Sequence, residues 1–212
     1  MMGGMNNWAE FTNEIWTSPD AFDWTRVTEH APWPARRNAL LLEFNQKLFL
    51  LGGSESSGKK DVLPQRSFTD AWETSDGSLW TKISDTVPPN AEQALVFQNQ
   101  MWILGARGAW SSTDGKTWQE KASGRPFSNR GSFGAAVYDG KLWVFGGVDA
   151  EKTMNEVWSS NDGINWVQQV PNAPWFPRGA EYSTVFAGKL WIFGGKTGRE
   201  YDQADDVWFM SR

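Results

Sequence analysis

Tryptophan spacing constrains this chain more than any other feature. Six Trp pairs lie eight residues apart, Trp8/Trp16, Trp16/Trp24, Trp72/Trp80, Trp102/Trp110, Trp110/Trp118 and Trp158/Trp166. With 15 Trp in 212 residues, chance gives about one such pair, so the spacing marks an internal repeat. Four of the pairs share more: Trp16-TSPDAFD-Trp24, Trp72-ETSDGSL-Trp80, Trp110-SSTDGKT-Trp118 and Trp158-SSNDGIN-Trp166. A fifth copy begins at Asp206-Val207-Trp208. Between these copies runs a second unit: KLFLLGG (47–53), QMWILGA (100–106), KLWVFGG (141–147) and KLWIFGG (189–195). Each follows an apolar stretch and a two-residue turn, Asn45-Gln46, Gln98-Asn99, Asp139-Gly140 or Ala187-Gly188. Apolar runs around two such residues are the signature of a hairpin.

These segments are strands a and b, and each Trp-x7-Trp unit supplies strands c and d. The c-d turn combines Ser or Thr, any residue, then Asp-Gly in three of the copies. Gly accepts a backbone conformation that strains other residues, and Asp bonds the turn backbone. The chain therefore reads as c-d, three full a-b-c-d units, then a-b-c. The doublets recur every 41 to 53 residues, the length of a four-stranded propeller blade. A single domain over 1–212 is expected, with a tail over 1–11 and repeats near 12–28, 36–84, 89–122, 130–170 and 178–212. The segment 54–67 reads as a long b-c loop.

Composition removes several function classes. The net charge of −5 and pI near 5.0 argue against sequence-independent nucleic-acid binding and against an anionic membrane surface. No apolar run reaches the roughly 18 residues of a membrane span, and Met1–Asn7 is not followed by a signal-peptide apolar region. A soluble protein is expected, and its compartment is unreadable. With no Cys and one His, disulfides, thiolate nucleophiles and multi-His metal sites are all excluded. No cofactor or metal is expected.

The pattern of apolar strand, tight turn, strand ending in Gly-Gly and later Trp resembles the kelch repeat, over residues 12–212. The resemblance implies an all-β, kelch-type β-propeller in which strand a lines a central channel. Four four-stranded blades are expected, the last completed by the N-terminal strand, with Asp23–Val27 pairing with Val207–Met210. The second copy departs by ending Gly105-Ala106. The c-d turn also resembles the Asp box of sialidases, Ser-x-Asp-x-Gly-x-x-Trp, one residue shorter. There it is a structural turn away from the active site, so it implies no sialidase activity. The same reading makes Asp76, Asp114 and Asp162 turn residues and places the c-d Trp rings between blades.

The d-a connections carry the candidate site. They read Pro32-Trp33-Pro34-Ala35-Arg36, Pro126-Phe127-Ser128-Asn129-Arg130 and Pro174-Trp175-Phe176-Pro177-Arg178, each Arg 16 positions before its Gly doublet. The remaining copy has Pro89 there. In a meander the d-a and b-c loops share one face. Trp33, Arg36, Phe127, Arg130, Trp175 and Arg178 are therefore the candidate ligand-binding residues, ringing one mouth of the channel. Aromatic-plus-Arg surfaces are typical binding hot spots, and converging guanidinium groups suit carboxylates. The alternative is that each Arg bonds carbonyls of its own blade.

Galactose oxidase, a kelch-propeller copper enzyme, needs a Tyr-Cys crosslink that a chain without Cys cannot form. A general acid/base pair is conceivable at Glu92 and Glu181, on equivalent positions of two a strands. The resemblance to kelch-type sialic-acid epimerases would make that pair a carbohydrate isomerase at the channel mouth. The leading expectation is a non-catalytic scaffold binding a protein, a peptide or an acidic sugar. A monomer is favoured over a dimer.

Overall fold

The computed structural model describes residues 1–7, 10–56, 65–122, 129–180, 182–198 and 202–211. Among them every regular element is a strand and none is a helix. The chain divides into two compact units: Met1–Pro89 with Asp114–Thr117, and Asn90–Thr113 with Trp118–Arg212.

The first unit holds two blade sheets and, within the segment expected as a long b-c loop, a two-stranded ribbon of Ser54–Ser56 and Gln65–Ser67. The first is Met2–Asn7, Glu10–Thr17 and Thr25–Thr28, in that order. The second is the a-b-c-d meander Leu40–Phe44, Lys47–Leu51, Ala71–Thr74 and Thr81–Ser84. The second unit holds three blade sheets and a small one of Arg178–Gly179, Lys196–Thr197 and Asp202–Gln203. The third sheet is Ala91–Phe97, Gln100–Gly105, Ala109–Ser112 and Gln119–Ala122. The fourth is Gly134–Tyr138, Lys141–Phe145, Val157–Ser160 and Trp166–Val170. The fifth has three strands, Tyr182–Phe186, Lys189–Phe193 and Val207–Met210. All pairings are antiparallel.

The turns are those the sequence dictates. Both central residues of each a-b turn have positive φ, as at Asn45 (50°) and Gln46 (61°) or Asp139 (50°) and Gly140 (70°). That is the mirror-image turn matching the twist of the paired strands. The c-d pairing slips by one residue just before the c-strand Trp in every copy, at Ile15/Trp16, Ala71/Trp72, Ala109/Trp110 and Val157/Trp158. A bulge of this kind bends the strand and re-aims the side chain beside it.

The N-terminus departs from expectation. Residues 1–11 are not a tail, because Met2–Asn7 forms the strand beside Glu10–Thr17. The reason is Gly3-Gly4, an overlooked doublet at φ 60° and 128°. Its Gly4 N–H donates to the Arg36 carbonyl, as the Gly147 N–H does to Arg178. The first c-d hairpin thus has its own inner neighbour. Thr25–Thr28 is the outer strand of that sheet, bonded to Glu10–Thr17, and Val207–Met210 is bonded to Lys189–Phe193. The expected joint blade, with Asp23–Val27 on Val207–Met210, is not among these pairings.

Opposed residues in register share a face, so the pleat sorts each core. In the first unit Ile15, Ala31 and Trp33 pack with Leu48, Leu50, Trp72 and Trp80. The Trp33 ring stands edge-on to Trp80 at 4.8 Å and to Trp72 at 5.7 Å. In the second unit Phe97, Trp102, Leu104 and Ala109 meet Leu142, Val144, Trp158 and Trp166. Tyr138, Trp143, Phe145 and Val157 meet Leu190, Ile192 and Met210. Large flat rings between sheets each bury about 150–250 Å², and burying that apolar surface is the main force holding the sheets face to face.

Candidate functional site

Each d-a connection delivers its Arg inward, not toward solvent. The Arg36 Nε donates to the Pro34 carbonyl (3.1 Å) and Nη1 to the Gly52 carbonyl (2.8 Å). Its two terminal nitrogens grip both oxygens of Asp70 at 2.5 and 2.9 Å. The Trp72 indole N–H donates to the same carboxylate at 2.8 Å, and the guanidinium lies 4.0 Å over the Phe68 ring. In the fifth sheet Arg178 repeats this with Phe176, Gly194, Asp206 and Trp208. In the fourth, Arg130 bonds the Gly146 carbonyl and Glu156, which also accepts from Trp158. All three Arg residues are 1% exposed.

This corrects the expectation that Arg36, Arg130 and Arg178 face a shared concavity. A planar fork matches a carboxylate bidentately. A buried Arg without such a partner would carry a desolvation cost of several kcal/mol, and each of these has its partner two residues before the c-strand Trp. Burial would raise the Asp70 carboxyl, but hydrogen bonds from Arg36 and Trp72 and the Arg36 charge outweigh it and hold the group low. Glu156 is held low against burial in the same way by Arg130 and Trp158. Hydrogen bonds from Arg178 take Asp206 down to about 2.

The sequence carried a signal for this clamp. The motif acid-x-Trp recurs as Glu14-x-Trp16, Asp70-x-Trp72, Glu156-x-Trp158 and Asp206-x-Trp208. The copy at Trp110 has Gly108 in place of the acid, and it is the copy whose Arg position is Pro89. Cation and anion are lost together, as a pair would be.

The aromatic partners divide. Trp33 is 1% exposed within the core, so it is a packing residue and not a ligand contact. Trp175 is half-buried beside Trp208, ring centroids 5.9 Å apart. Phe127 lies outside the described residues, as does Glu181. Glu92 accepts the Ser132 N–H at 2.9 Å, which ties strand a of the third sheet to the entry of the fourth. His30 is exposed, with its Nδ1 3.5 Å from the Asn13 side-chain oxygen.

The c-d turns follow one plan. The Asp76 carboxylate accepts the N–H groups of Ser78 and Leu79, while the Thr74 hydroxyl accepts those of Asp76 and Gly77. Ser160 and Asp162 repeat it. These bonds pull Asp76 down to about 2. The turn aspartates serve the backbone.

A family model described as the DUF6242 β-propeller domain matches residues 18–130, more than half of the chain. The chain belongs to that family. A Kelch motif matches residues 129–159, the stretch from Arg130 through Gly146-Gly147 to Glu156 and Trp158 that builds one complete clamp. The DUF6242 propeller is thus of kelch type. No curated protein matches the chain.

The DUF6242 propeller has an open concavity on its loops. A concavity of about 840 Å³ is lined by Val148–Thr153 and Gly198, in the b-c loops of the fourth and fifth sheets. Asp149 shapes it by accepting the N–H groups of Glu151 and Lys152. The Arg178 N–H donates to the Met154 carbonyl at 2.9 Å, so the d-a connection is stitched to the end of this loop. That connection carries Phe176 at 77% exposure. Among the described residues no group of three or more His, Asp or Glu side chains could hold a metal ion. Among the same residues no helix is long and apolar enough to cross a membrane.

Proposed function

We propose that this domain is a non-catalytic scaffold whose d-a and b-c loop face binds a protein or peptide. The observation that carries the reading is the commitment of the three buried guanidinium groups to Asp70, Glu156 and Asp206. An acidic sugar would need free cations, whereas the concavity has Asp149 and Glu151 against Lys152. An open loop surface with an exposed aromatic beside it suits an extended peptide, whose backbone supplies most of the hydrogen bonds. Kelch relatives binding partners on this face lend support by analogy. Catalysis through Glu92 is disfavoured, since its carboxylate already serves the Ser132 amide.

Selection from a phage-displayed peptide library tests this. Selected peptides should lose at least tenfold in affinity with Phe176→Ala or Glu151→Lys, while glucuronate and N-acetylneuraminate leave the melting temperature unchanged. A melting shift with the sugar acids and none with peptides refutes the reading.

A further inference from the structure

Where the d-a connection of the second sheet meets its b-c ribbon, the first unit carries a guanidinium without a carboxylate. Arg37 follows the clamp residue Arg36 and pairs with Ser54. Its N–H donates to the Ser54 carbonyl at 2.9 Å, and its carbonyl accepts the Ser54 N–H at 2.8 Å. Ser54 pairs in turn with Ser67. Directly opposed residues share a face, so the three side chains form one row, all within the first unit. The Phe68 N–H donates to the Gly53 carbonyl at 2.9 Å. That makes Ser54 and Ser67 a non-hydrogen-bonded pair, the kind whose side chains stand closest.

Arg37 is half-buried, and its Nε is buried with no hydrogen-bond partner among the described residues. A buried donor left unpaired bears its whole desolvation cost. The neighbouring charges are engaged elsewhere. Arg36 is taken by Asp70. Glu55 and Arg66, one residue along, are opposed on the other face of the ribbon, where Arg66 lies 4.8 Å over Phe68. The fourth sheet builds the same row from Gly131, Val148 and Thr153. There a Cβ on Gly131 would come within 2.8 Å of Glu92, and Val148 and Thr153 line the concavity. In the second sheet the row holds a cation and two hydroxyls instead, with Ser67 exposed.

We propose that Arg37, Ser54 and Ser67 form a binding site for a phosphoryl group. The row offers donors on three neighbouring strands, which suits a group with three strong acceptor oxygens. A carboxylate has two coplanar oxygens, which a guanidinium fork alone would satisfy. The site is separate from the concavity of the fourth and fifth sheets, and peptide binding there neither requires nor excludes it.

Amide NMR of the isotope-labelled chain tests the proposal, with inorganic phosphate and then N-acetyl-phosphoserine amide added at constant ionic strength. The Arg37, Ser54 and Ser67 signals should shift and saturate with both, and acetate should bind at least tenfold more weakly. Tighter binding of the phosphoserine compound assigns the group to a phosphorylated protein, and equal binding assigns it to free phosphate. Arg37→Met should weaken phosphate at least tenfold, and Arg37→Lys, which keeps the charge without the fork, should weaken it less. If Arg37→Met loses its melting transition, Ser67→Asp replaces it and should abolish binding by presenting a carboxylate to Arg37. Signals that never saturate, acetate binding as tightly as phosphate, or unchanged affinity in these variants overturns the proposal.

Discussion

Arg36→Met tests whether the clamp is structural, and the geometry sets the size of the effect. The substitution keeps an apolar stem over Phe68 but removes the donors to Pro34, Gly52 and both oxygens of Asp70. Asp70 is left nearly buried with the Trp72 indole as its remaining side-chain donor. Breaking one side of a buried ion pair costs about 3–5 kcal/mol, against a total stability of about 5–15 kcal/mol. Asp70→Asn strands the guanidinium in the same way and should cost about as much. The double variant strands neither charge, so its loss should fall short of the sum by about 2–3 kcal/mol. Urea unfolding followed by Trp fluorescence at neutral pH reads all four corners of the cycle. A coupling below about 0.5 kcal/mol, within the additivity of independent sites, would refute the clamp. The outcome also separates fold from binding, because a ligand-facing Arg would lower affinity and leave the midpoint in place.

Acid sensitivity follows from the depressed carboxylates. Asp76, Asp162 and Asp206 sit at about 2 in the folded chain against an ordinary 3.8. Their contribution is therefore complete above about pH 4 and is lost as pH falls through about 2. Melting temperatures from pH 6 to 2 should drop only at the acid end, and Asp206→Asn should flatten that limb. The c-d tryptophans should split by position, with Trp166→Ala costing about 3–5 kcal/mol and Trp24→Ala less than about 1 kcal/mol. Ala21, at φ 66° where the other copies have Gly, should gain about 0.5–1 kcal/mol when replaced by Gly, since a non-Gly residue in this region is strained by roughly 1–2 kcal/mol. Chemical denaturation checks both.

The meander was legible because its signals are local. Turn pairs, Gly doublets and Trp spacing each act within a few residues, and each strand they marked is present. The role of the arginines was not, because a guanidinium 16 positions before its glycine suits either a carbonyl of its own sheet or a ligand. Spacing alone does not choose. The deciding partner, Asp70, Glu156 or Asp206, lies 26 to 34 residues away, and only comparison of all the copies exposes it. Gly3-Gly4 was missed for another reason: without a strand a or a turn before it, the doublet has no register to betray it.

The missing clamp in the third sheet has a consequence for how the chain opens. Every other d-a connection after a complete c-d hairpin is held by a side-chain fork whose bonds to a doublet carbonyl and a carboxylate must release before the segment can move. The passage through Pro89 and Asn90 lacks that fork, and its bond to the doublet is a backbone one, from the Ala106 N–H to the Asn90 carbonyl at 3.3 Å. It is also where the chain divides into its two compact units. Amide exchange should be fastest at this connection and brief protease treatment should nick it first, leaving two fragments whose own clamps are intact.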